Sequence, residues 1–466
     1  MQIEFPASAR RRFGVFAVPA SARRRLGVAV VLVAALLVST SAAFVRGQAK
    51  LATPDASTSL SATGDVLKDV SRIRRLDILQ PVKSGVKSHD EIEQSVMSDL
   101  DESTTPEEFD ATSKTLIKLG MIPKGFHLRE YVIKLLREQV AGYYEPKTKI
   151  FYLASWLPIS EQKTVMAHEL THALQDQHFN LRRFEKWPKG DSDAELAAHA
   201  LMEGEATAVM LQYSAEKDGW NLDLAKVPSL TDRMLEQDSG DDTAKYPVLS
   251  GAPMVLKENL QFPYVYGVGF VQGILKSRSW RQLDDCYVHL PASTKQIMHP
   301  DRYLAHDDPV KIQIGDLSPA LGKGWKRADE DVNGEFGYMT LLTQFINKQS
   351  ARVAAAGWSG DRYALYENPA TGDSVLAQYT TWDTAKDARE FFDAYAERSE
   401  ARYKATRSAK SQPNDCVIET SEGLVYIGLR DKDVIVIEGA ANQQQVAALS
   451  EVLWKSKKSL PAAPSK

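Results

Sequence analysis

The sequence predicts an α+β protein in which a mostly helical domain with a small edge β-sheet precedes a smaller α+β domain. Its 466 residues are too many for one ordinary domain. Hydrophobic residues make up 43% of the chain and charged residues 25%, as in globular proteins that bury a sizeable core. Helical periodicity dominates the first part of the chain and alternating apolar residues dominate the last part, which predicts the order of the two domains.

Residues 1–43 have the features of a secretory signal peptide. Three arginines precede an apolar run from Leu26 to Val38, and small residues follow it as far as Ala43. A basic segment, a short apolar segment and a small-residue cleavage site are typical of such signals. The alternative is an uncleaved membrane anchor, because Leu26–Val45 is just long enough to cross a bilayer if tilted. Both interpretations predict that the rest of the chain lies outside the cytoplasm, secreted or periplasmic.

Charge and cysteine content argue against two classes of protein. The formal net charge is −4 and no basic block follows residue 46, so we expect no nucleic-acid partner. The two cysteines, Cys286 and Cys416, could form one disulfide in an oxidising compartment or remain reduced. Neither lies at a zinc-finger spacing from a histidine, so a cysteine-ligated structural metal is not expected.

The chain divides into five regions. After the signal or anchor, residues 44–64 are rich in Ser, Thr and Ala and predict a disordered linker. Residues 65–120 have helical periodicity with a charged face and predict a helical lead-in that packs on the next domain, with a removable inhibitory segment as the alternative. The mostly helical domain spans residues 121–320. The smaller α+β domain spans residues 325–460.

Within the helical domain, an aromatic-rich hairpin is predicted between two helices. A helix runs from Leu128 to Val140, and two strands in Gly142–Leu153 flank a Glu-Pro-Lys-Thr turn. The next helix begins near Ser160 and has an acidic residue in its first turn. The other predicted helices of this domain are Asp193–Tyr213, Pro263–Ser277 and Ser279–Leu290.

The smaller domain is predicted to have the order β-β-α-β-β-β-α. It contains no cluster of histidine, cysteine or acidic residues, so we expect it to support packing or binding rather than chemistry. The predicted elements are Tyr363–Tyr366, Val375–Thr381, Thr384–Tyr403, Val417–Glu419, Leu424–Leu429, Asp433–Glu438 and Asn442–Lys455.

The run His168-Glu169-Leu170-Thr171-His172 predicts a metal site. Two histidines four residues apart lie one helical turn apart, so both imidazoles can bind one ion. Glu169 lies beside them, where it can polarise a water molecule bound to that ion. This is the H-E-x-x-H arrangement of zinc-dependent peptide hydrolases. The predicted cofactor is Zn²⁺, with His168 and His172 as ligands and Glu169 as the catalytic residue.

A catalytic zinc needs a third protein ligand, and the next long helix offers four candidates. Glu195, His199 and Glu203 are spaced by four and share one face of that helix. Glu205 is rotated by about 200° from Glu203, so the two cannot both reach the same ion. Apolar residues surround all four, which predicts a buried helix whose polar side chains need partners.

The motif, together with Glu203-Gly204-Glu205-Ala206, resembles the gluzincins, the thermolysin-like and aminopeptidase-like metallopeptidases with two histidines and one glutamate on zinc. The resemblance covers about residues 135–310 and implies a zincin-like catalytic domain. It implies Glu203 as the third metal ligand, with Glu205 and then His199 as the alternatives. The segment between His172 and Glu203 is longer than in the better-known members, and we interpret the extra residues as a loop.

The implied function is zinc-dependent hydrolysis of peptide bonds outside the cytoplasm, with zinc-bound water activated by Glu169. The expected partner is a peptide or protein substrate, and the N-terminal apolar segment could attach the protein to a membrane. The tetrahedral oxyanion needs a second donor besides the metal. Of the candidates Tyr264, Tyr266 and His299, we predict Tyr266 and His299 as catalytic.

Asp176 and two glycines near the predicted site have further expected roles. Asp176, one turn beyond His172, either orients an imidazole or is a polar residue at the helix end. Gly267 and Gly269 would allow another backbone to approach their helix closely.

Two alternative functions remain. One is a catalytically silent cell-envelope protein that binds a partner on a metallopeptidase scaffold. The other is a purely structural zinc site, which should be closed by four protein ligands.

Overall fold

The computed structural model describes residues 61–157, 159–188, 190–237, 246–409 and 411–459. The predicted signal or anchor and almost all of the predicted linker lie outside the described residues. The last residues of that linker enter a helix, because helix α1 begins at Thr63. No helix in the described part of the chain is long and apolar enough to cross a membrane.

The first part of the chain forms helices around a small sheet, as the α+β prediction requires. The predicted hairpin is confirmed, and the helix that follows it carries the H-E-x-x-H run. The elements are α1 Thr63–Arg74, β1 Lys83–Lys87, α2 His89–Ser103, α3 Pro106–Leu119, α4 Leu128–Gln139, β2 Gly142–Glu145, β3 Ile150–Ala154, α5 Ile159–Phe179 and α6 Ser192–Lys217, with a 3₁₀ turn at Leu181–Lys186.

The small sheet has the order β1-β3-β2, so β2 is an edge strand. Strand β2 is antiparallel to β3, whereas β1 is parallel to β3. The lead-in is therefore not purely helical, because it contributes β1 to this sheet. The sequence Lys-Ser-Gly-Val-Lys has no apolar alternation, which explains why it did not predict a strand.

The middle of the chain is helical. Its longest helix starts earlier than predicted and contains Pro263 in its interior, and the helix predicted over Ser279–Leu290 is split at Asp284. The elements are α7 Leu230–Gln237, α8 Pro247–Ser250, α9 Met254–Ser277, α10 Trp280–Leu283, α11 Asp285–Val288, α12 Thr294–Met298 and α13 Pro300–Leu304.

The C-terminal region confirms the predicted strand and helix order and adds elements before it. Six strands form an antiparallel sheet in the order β5-β6-β7-β10-β9-β8, with α17 on one face and α18 on the other. The elements are β4 Lys311–Gln313, α14 Ser318–Leu321, β5 Lys326–Asp331, α15 Gly334–Thr343, α16 Lys348–Ala355, β6 Trp358–Asn368, β7 Asp373–Trp382, α17 Ala385–Tyr403, β8 Asp415–Thr420, β9 Gly423–Arg430, β10 Asp433–Ala440, α18 Gln443–Leu453 and β11 Lys457–Ser459.

The C-terminal region packs directly on the helical region. The side chain of Asp331 accepts a 2.9 Å hydrogen bond from the backbone N–H of Ser192 at the start of α6. The buried ammonium group of Lys295 lies 2.9 Å from the carboxylate of Asp383. One hydrophobic core includes side chains from both regions. Cys286 and Cys416 are both buried free thiols, so they do not link the regions covalently.

Candidate metal centre

Helices α5 and α6 bring the three predicted metal ligands together. The Nε2 atoms of His168 and His172 lie 3.1 Å apart. Oε2 of Glu203 lies 3.1 Å from Nε2 of His168 and 3.4 Å from Nε2 of His172. We call these three atoms the metal triangle. The side chains of both histidines show no solvent exposure, and Glu203 is 2% exposed, so the triangle is buried.

The metal triangle has dimensions that suit zinc. Zinc bonds of about 2.0–2.2 Å place two ligand atoms of a tetrahedral site about 3.3–3.5 Å apart. The measured edges of 3.1, 3.1 and 3.4 Å fall close to that range. Two imidazoles and one carboxylate are also the donor set of catalytic zinc sites that keep a fourth position open. The residues present therefore fit Zn²⁺.

Glu169 lies beside the metal triangle. A buried group of His168, Glu169 and His172 could also hold a metal. Oε1 of Glu169, however, lies 4.0 Å from Nε2 of His168, farther than any edge of the triangle. Its Oε2 accepts a 2.8 Å hydrogen bond from the backbone N–H of Tyr144 in edge strand β2. Glu203 is therefore closer to the two imidazoles than Glu169 is, and Glu169 lies between the triangle and the sheet.

Two further residues contact the triangle: Gln175, which was not predicted as part of the site, and Tyr264, which was one of the three candidate oxyanion donors. Nδ1 of His172 lies 2.8 Å from Oε1 of Gln175, one turn further along α5. The ring of Tyr264, on α9, stacks against His168 with ring centres 6.0 Å apart. Burial, and then the charge of the nearby Glu203 carboxylate, raise the pKa of the Tyr264 hydroxyl. Gln175 lies three residues after His172, a predicted metal ligand, and this spacing could have indicated its contact with the imidazole.

The crossing of α6 and α9 explains how Tyr264 reaches the triangle. A Cβ atom on Gly204 would overlap the backbone of Gly267, and a Cβ atom on Gly267 would overlap the carbonyl of Ala200. The expected close approach at Gly267 is confirmed, whereas Gly269 faces the side chain of Thr231. Two glycines therefore let the helix backbones touch next to Glu203.

Opposite charges meet in the buried triangle. Burial by itself would raise the pKa of Glu203, but the charge of His172 and hydrogen bonds from both histidines lower it to about 2. Burial also favours the neutral form of His172. The charge and hydrogen bond of Glu203, together with the contributions of Glu169 and Gln175, nevertheless raise the pKa of His172 to about 9. At His168 burial dominates and lowers the pKa. Glu203 is therefore ionised at neutral pH, as a ligand for a divalent cation should be.

Glu205, the alternative third ligand, is engaged on the other side of α6. Its Oε1 lies 2.5 Å from Nε of Arg74, and its Oε2 accepts a 2.7 Å hydrogen bond from the hydroxyl of Tyr287. Arg74 also pairs with Asp284 at 2.6 Å. Because Arg74 and Glu205 are both fully buried, each compensates the charge of the other. Glu205 thus joins the lead-in to the helical domain.

The remaining candidates near the triangle have other partners or positions. Asp176 accepts hydrogen bonds of 2.9 Å from the hydroxyl of Tyr144 and from the backbone N–H of Leu181. Of its two predicted roles, the structure gives it that of a polar residue at the helix end. His199 is buried, and burial lowers its pKa to about 4 against the opposing charge of Glu203. In the part of the chain that the structure describes, no measured hydrogen bond joins His199 to the triangle.

Tyr266 and His299, the predicted catalytic donors, lie elsewhere. Tyr266 stacks on Phe262, and Nε2 of His299 lies 2.7 Å from Oε1 of Glu335. Both residues line a cavity on the other side of α9 from Tyr264. Residues two apart on a helix point about 200° apart, so the face that carries Tyr264 cannot also carry Tyr266. The structure brings Tyr264 against the triangle, and the catalytic role of the other two stays a prediction.

Comparison with known proteins gives one match. A family described as a domain of unknown function (DUF8575) matches residues 321–452, which form most of the C-terminal region. No curated protein and no solved structure is significantly similar to the chain. The match does not include the helices that carry the metal triangle.

Proposed function

We propose that this protein is a zinc-dependent peptide hydrolase of the gluzincin type. The observation that carries the proposal is the metal triangle, whose edges of 3.1–3.4 Å suit tetrahedral zinc, with the carboxylate of Glu169 beside it. Two histidines and one glutamate leave one position of such a site for water or substrate. A glutamate next to the first histidine is the usual general base of this arrangement.

The side chains around the triangle have complementary roles in the proposed reaction. A bound zinc ion would supply the Lewis acid that polarises the peptide carbonyl and acidifies water. Glu169 would accept a proton from the attacking water and return it to the leaving amine. The N–H of Tyr144 keeps this carboxylate oriented, Gln175 orients His172, and the ring of Tyr264 packs against His168.

Strand β2 offers a place for the substrate backbone. It is the edge strand of the small sheet, and the N–H of Tyr144 on its outer side points at Glu169. Extended peptides bind to sheet edges through main-chain hydrogen bonds. Because Gly142, Tyr143 and Tyr144 are buried, neighbouring residues would have to move before a peptide could pair with β2. We therefore propose a peptide or protein as substrate. The N-terminal signal or anchor sequence supports a location outside the cytoplasm, in a secreted, periplasmic or membrane-attached form.

One observation favours a second candidate function. The side chains of His168, Glu169 and His172 have no solvent exposure, so a substrate can reach the triangle only after neighbouring residues move. A metal site without catalysis would need no such access. The second candidate is therefore a catalytically silent cell-envelope protein in which the metal stabilises a scaffold that binds partners.

A cleavage assay distinguishes the two candidates. The purified protein would be incubated with a library of fluorescence-quenched peptides, and cleavage would be measured with and without a zinc chelator. Glu169→Gln should lower the rate by about 10²–10⁴-fold while retaining zinc, because only proton transfer is removed. Glu161→Gln, on the same helix and away from the triangle, is the matched control. Zinc-loaded protein without any cleavage would contradict the hydrolase and support the silent scaffold.

A further inference from the structure

A cavity lies on the side of helix α9 that faces away from the metal triangle. Its volume is about 530 Å³, within the usual range for small-molecule sites. Tyr266, His299 and Glu335 line it. We call it the α9 cavity. It contains the two polar residues that the sequence singled out and that the metal triangle does not use.

The deep part of the α9 cavity contains a buried carboxylate with an unsatisfied oxygen. Oε1 of Glu335 accepts a 2.7 Å hydrogen bond from Nε2 of His299. Oε2 of Glu335 is buried and has no hydrogen-bond partner among the described residues, and the side chain as a whole is 2% exposed. Buried polar atoms are nearly always hydrogen-bonded, so such an oxygen calls for a donor. A cationic N–H group is the strongest donor for a carboxylate.

The mouth of the α9 cavity is predominantly positive. Lys276, Lys348 and Arg352 line it and are exposed, and in the described chain none of the three is within an ion-pair distance of a carboxylate. Lys348 and Arg352 are four residues apart on α16, so their charges lie on the same side of that helix. The exposed carboxylates of Asp232 and Asp301 also line the cavity but are outnumbered. The mouth is therefore suited to an anionic group.

Apolar side chains also line the α9 cavity. Among them are Met298, Leu304 and Met339. Methionine side chains adapt to ligands of different shape because they are unbranched and flexible. A ligand that fits has a protonated amine at one end, an acid at the other and apolar groups between them. A single α-amino acid carries both charges on one carbon, whereas a dipeptide separates them.

We propose that the α9 cavity binds an apolar dipeptide, with its amino terminus at Oε2 of Glu335 and its carboxyl terminus at Lys348 and Arg352. The apolar side chains of the dipeptide contact Met298, Leu304 and Met339. This binding site is independent of the metal triangle, since it uses none of the same side chains.

Calorimetric titration with L-leucyl-L-leucine tests this proposal. All titrations would use the full chain carrying Glu169→Gln, so that hydrolysis at the metal triangle cannot contribute heat. We expect one dipeptide to bind per chain. N-acetyl-leucyl-leucine, which lacks the charged amine, and leucyl-leucinamide, which lacks the carboxylate, should each bind about tenfold or more weakly because each loses a charge-assisted hydrogen bond.

Single substitutions test which residues bind the amino end and the carboxyl end of the dipeptide. Glu335→Gln should abolish the preference for the free amine, and Arg352→Ala should reduce the preference for the free carboxylate. Lys348→Ala should act like Arg352→Ala, whereas Lys386→Ala, an exposed lysine on α17, is the matched control and should change nothing. If Glu335→Gln does not fold, the proposal is tested by Lys348→Ala and Arg352→Ala alone, because these two side chains on α16 are exposed. Absence of dipeptide binding, or unchanged selectivity in the α16 variants, would overturn the proposal.

Discussion

His172 donates a 2.8 Å hydrogen bond from Nδ1 to Oε1 of Gln175. Nε2 of Gln175 in turn donates to the backbone carbonyl of Met202 in helix α6, at 3.0 Å, which fixes the orientation of the amide. Because Oε1 of Gln175 can only accept, Nδ1 of His172 carries a proton, and Nε2 is the ring nitrogen that can bind a metal once its own proton has left. Gln175 thus connects the helix of the two histidines with the helix of Glu203.

Replacing Gln175 should weaken zinc binding without removing a ligand. We expect Gln175→Ala to lower zinc affinity about 10–100-fold, because the imidazole of His172 loses its orienting partner. A competition titration against a chromophoric chelator measures this affinity. Gln177→Ala is the control, since Gln177 lies on the same helix but is only partly buried and bonds to the backbone of Leu79 and Gln80. Equal affinities in the two variants would contradict the role of Gln175.

The buried pair of Arg74 and Glu205 should make the lead-in essential for folding. Arg74→Met leaves the fully buried carboxylate of Glu205 without its cation. We expect a loss of about 3–5 kcal/mol in the free energy of unfolding, measured by chemical denaturation. Arg72→Met is the control, because Arg72 pairs with Glu216 on the same helix α6 but is 58% exposed. A small effect of Arg74→Met would favour the alternative that this region is a removable segment.

The helix crossing at Gly204 should be sensitive to a single methyl group. Gly204→Ala places a Cβ atom where the backbone of Gly267 lies, so α9 must move away from α6. We expect a loss of stability of about 1–3 kcal/mol and weaker zinc binding, because the shift disturbs Glu203 and Tyr264. Thermal unfolding and zinc titration measure the two effects. Gly64→Ala is the control, because a Cβ atom on Gly64 meets open space and should stabilise helix α1 slightly. If Gly204→Ala also stabilised the protein, the close contact between the backbones of α6 and α9 would be contradicted.

Acid should weaken the C-terminal region through Glu438. The carboxylate is fully buried and lies 2.7 Å from both Arg398 and Arg402. Burial would raise its pKa, but the two guanidinium groups lower it from 4.5 to about 2. Because the folded-state pKa is the lower one, this stabilisation is complete above about pH 4.5 and is lost as the pH falls toward about 2.

The variant Glu438→Gln isolates this contribution. At pH 7 it should lower the free energy of unfolding by about 3–5 kcal/mol, since it leaves the buried Arg398 unpaired. Its difference from the unchanged protein should shrink as the pH falls below 4.5. Denaturation curves at several pH values measure the loss of stability at pH 7 and its decrease at lower pH. Glu451→Gln, on the surface of α18, should behave like the unchanged protein. A pH-independent difference would mean that Glu438 is not ionised in the folded state.

The helices and strands that are determined by neighbouring residues could be predicted from the sequence. The helix of the H-E-x-x-H run, the hairpin before it and the C-terminal strand order follow from residue periodicity and turn residues, and all three are present. The α+β class was predictable for the same reason. Helix geometry predicted that Glu203 and Glu205 cannot both reach one ion, and the preference for Glu203 came from the resemblance to the gluzincins.

Features set by tertiary packing were not predictable. Whether Tyr264 or Tyr266 faces the triangle depends on how α9 crosses α6 at Gly204 and Gly267, which no local pattern specifies. The pairing of Arg74 with Glu205 joins residues that are far apart in the chain. Strands β1 and β5 are rich in charged residues and acquire their conformation only by pairing with a neighbouring strand.

The most direct test of the proposed metal site is the zinc content of the purified protein, measured by plasma emission without added metal. We expect about one zinc per chain, lost in Glu203→Ala but retained in Glu169→Gln, because in the proposed site three side chains hold the ion and Glu169 does not. No bound zinc even after supplementation, or loss of zinc in Glu169→Gln, would contradict the proposed hydrolase site.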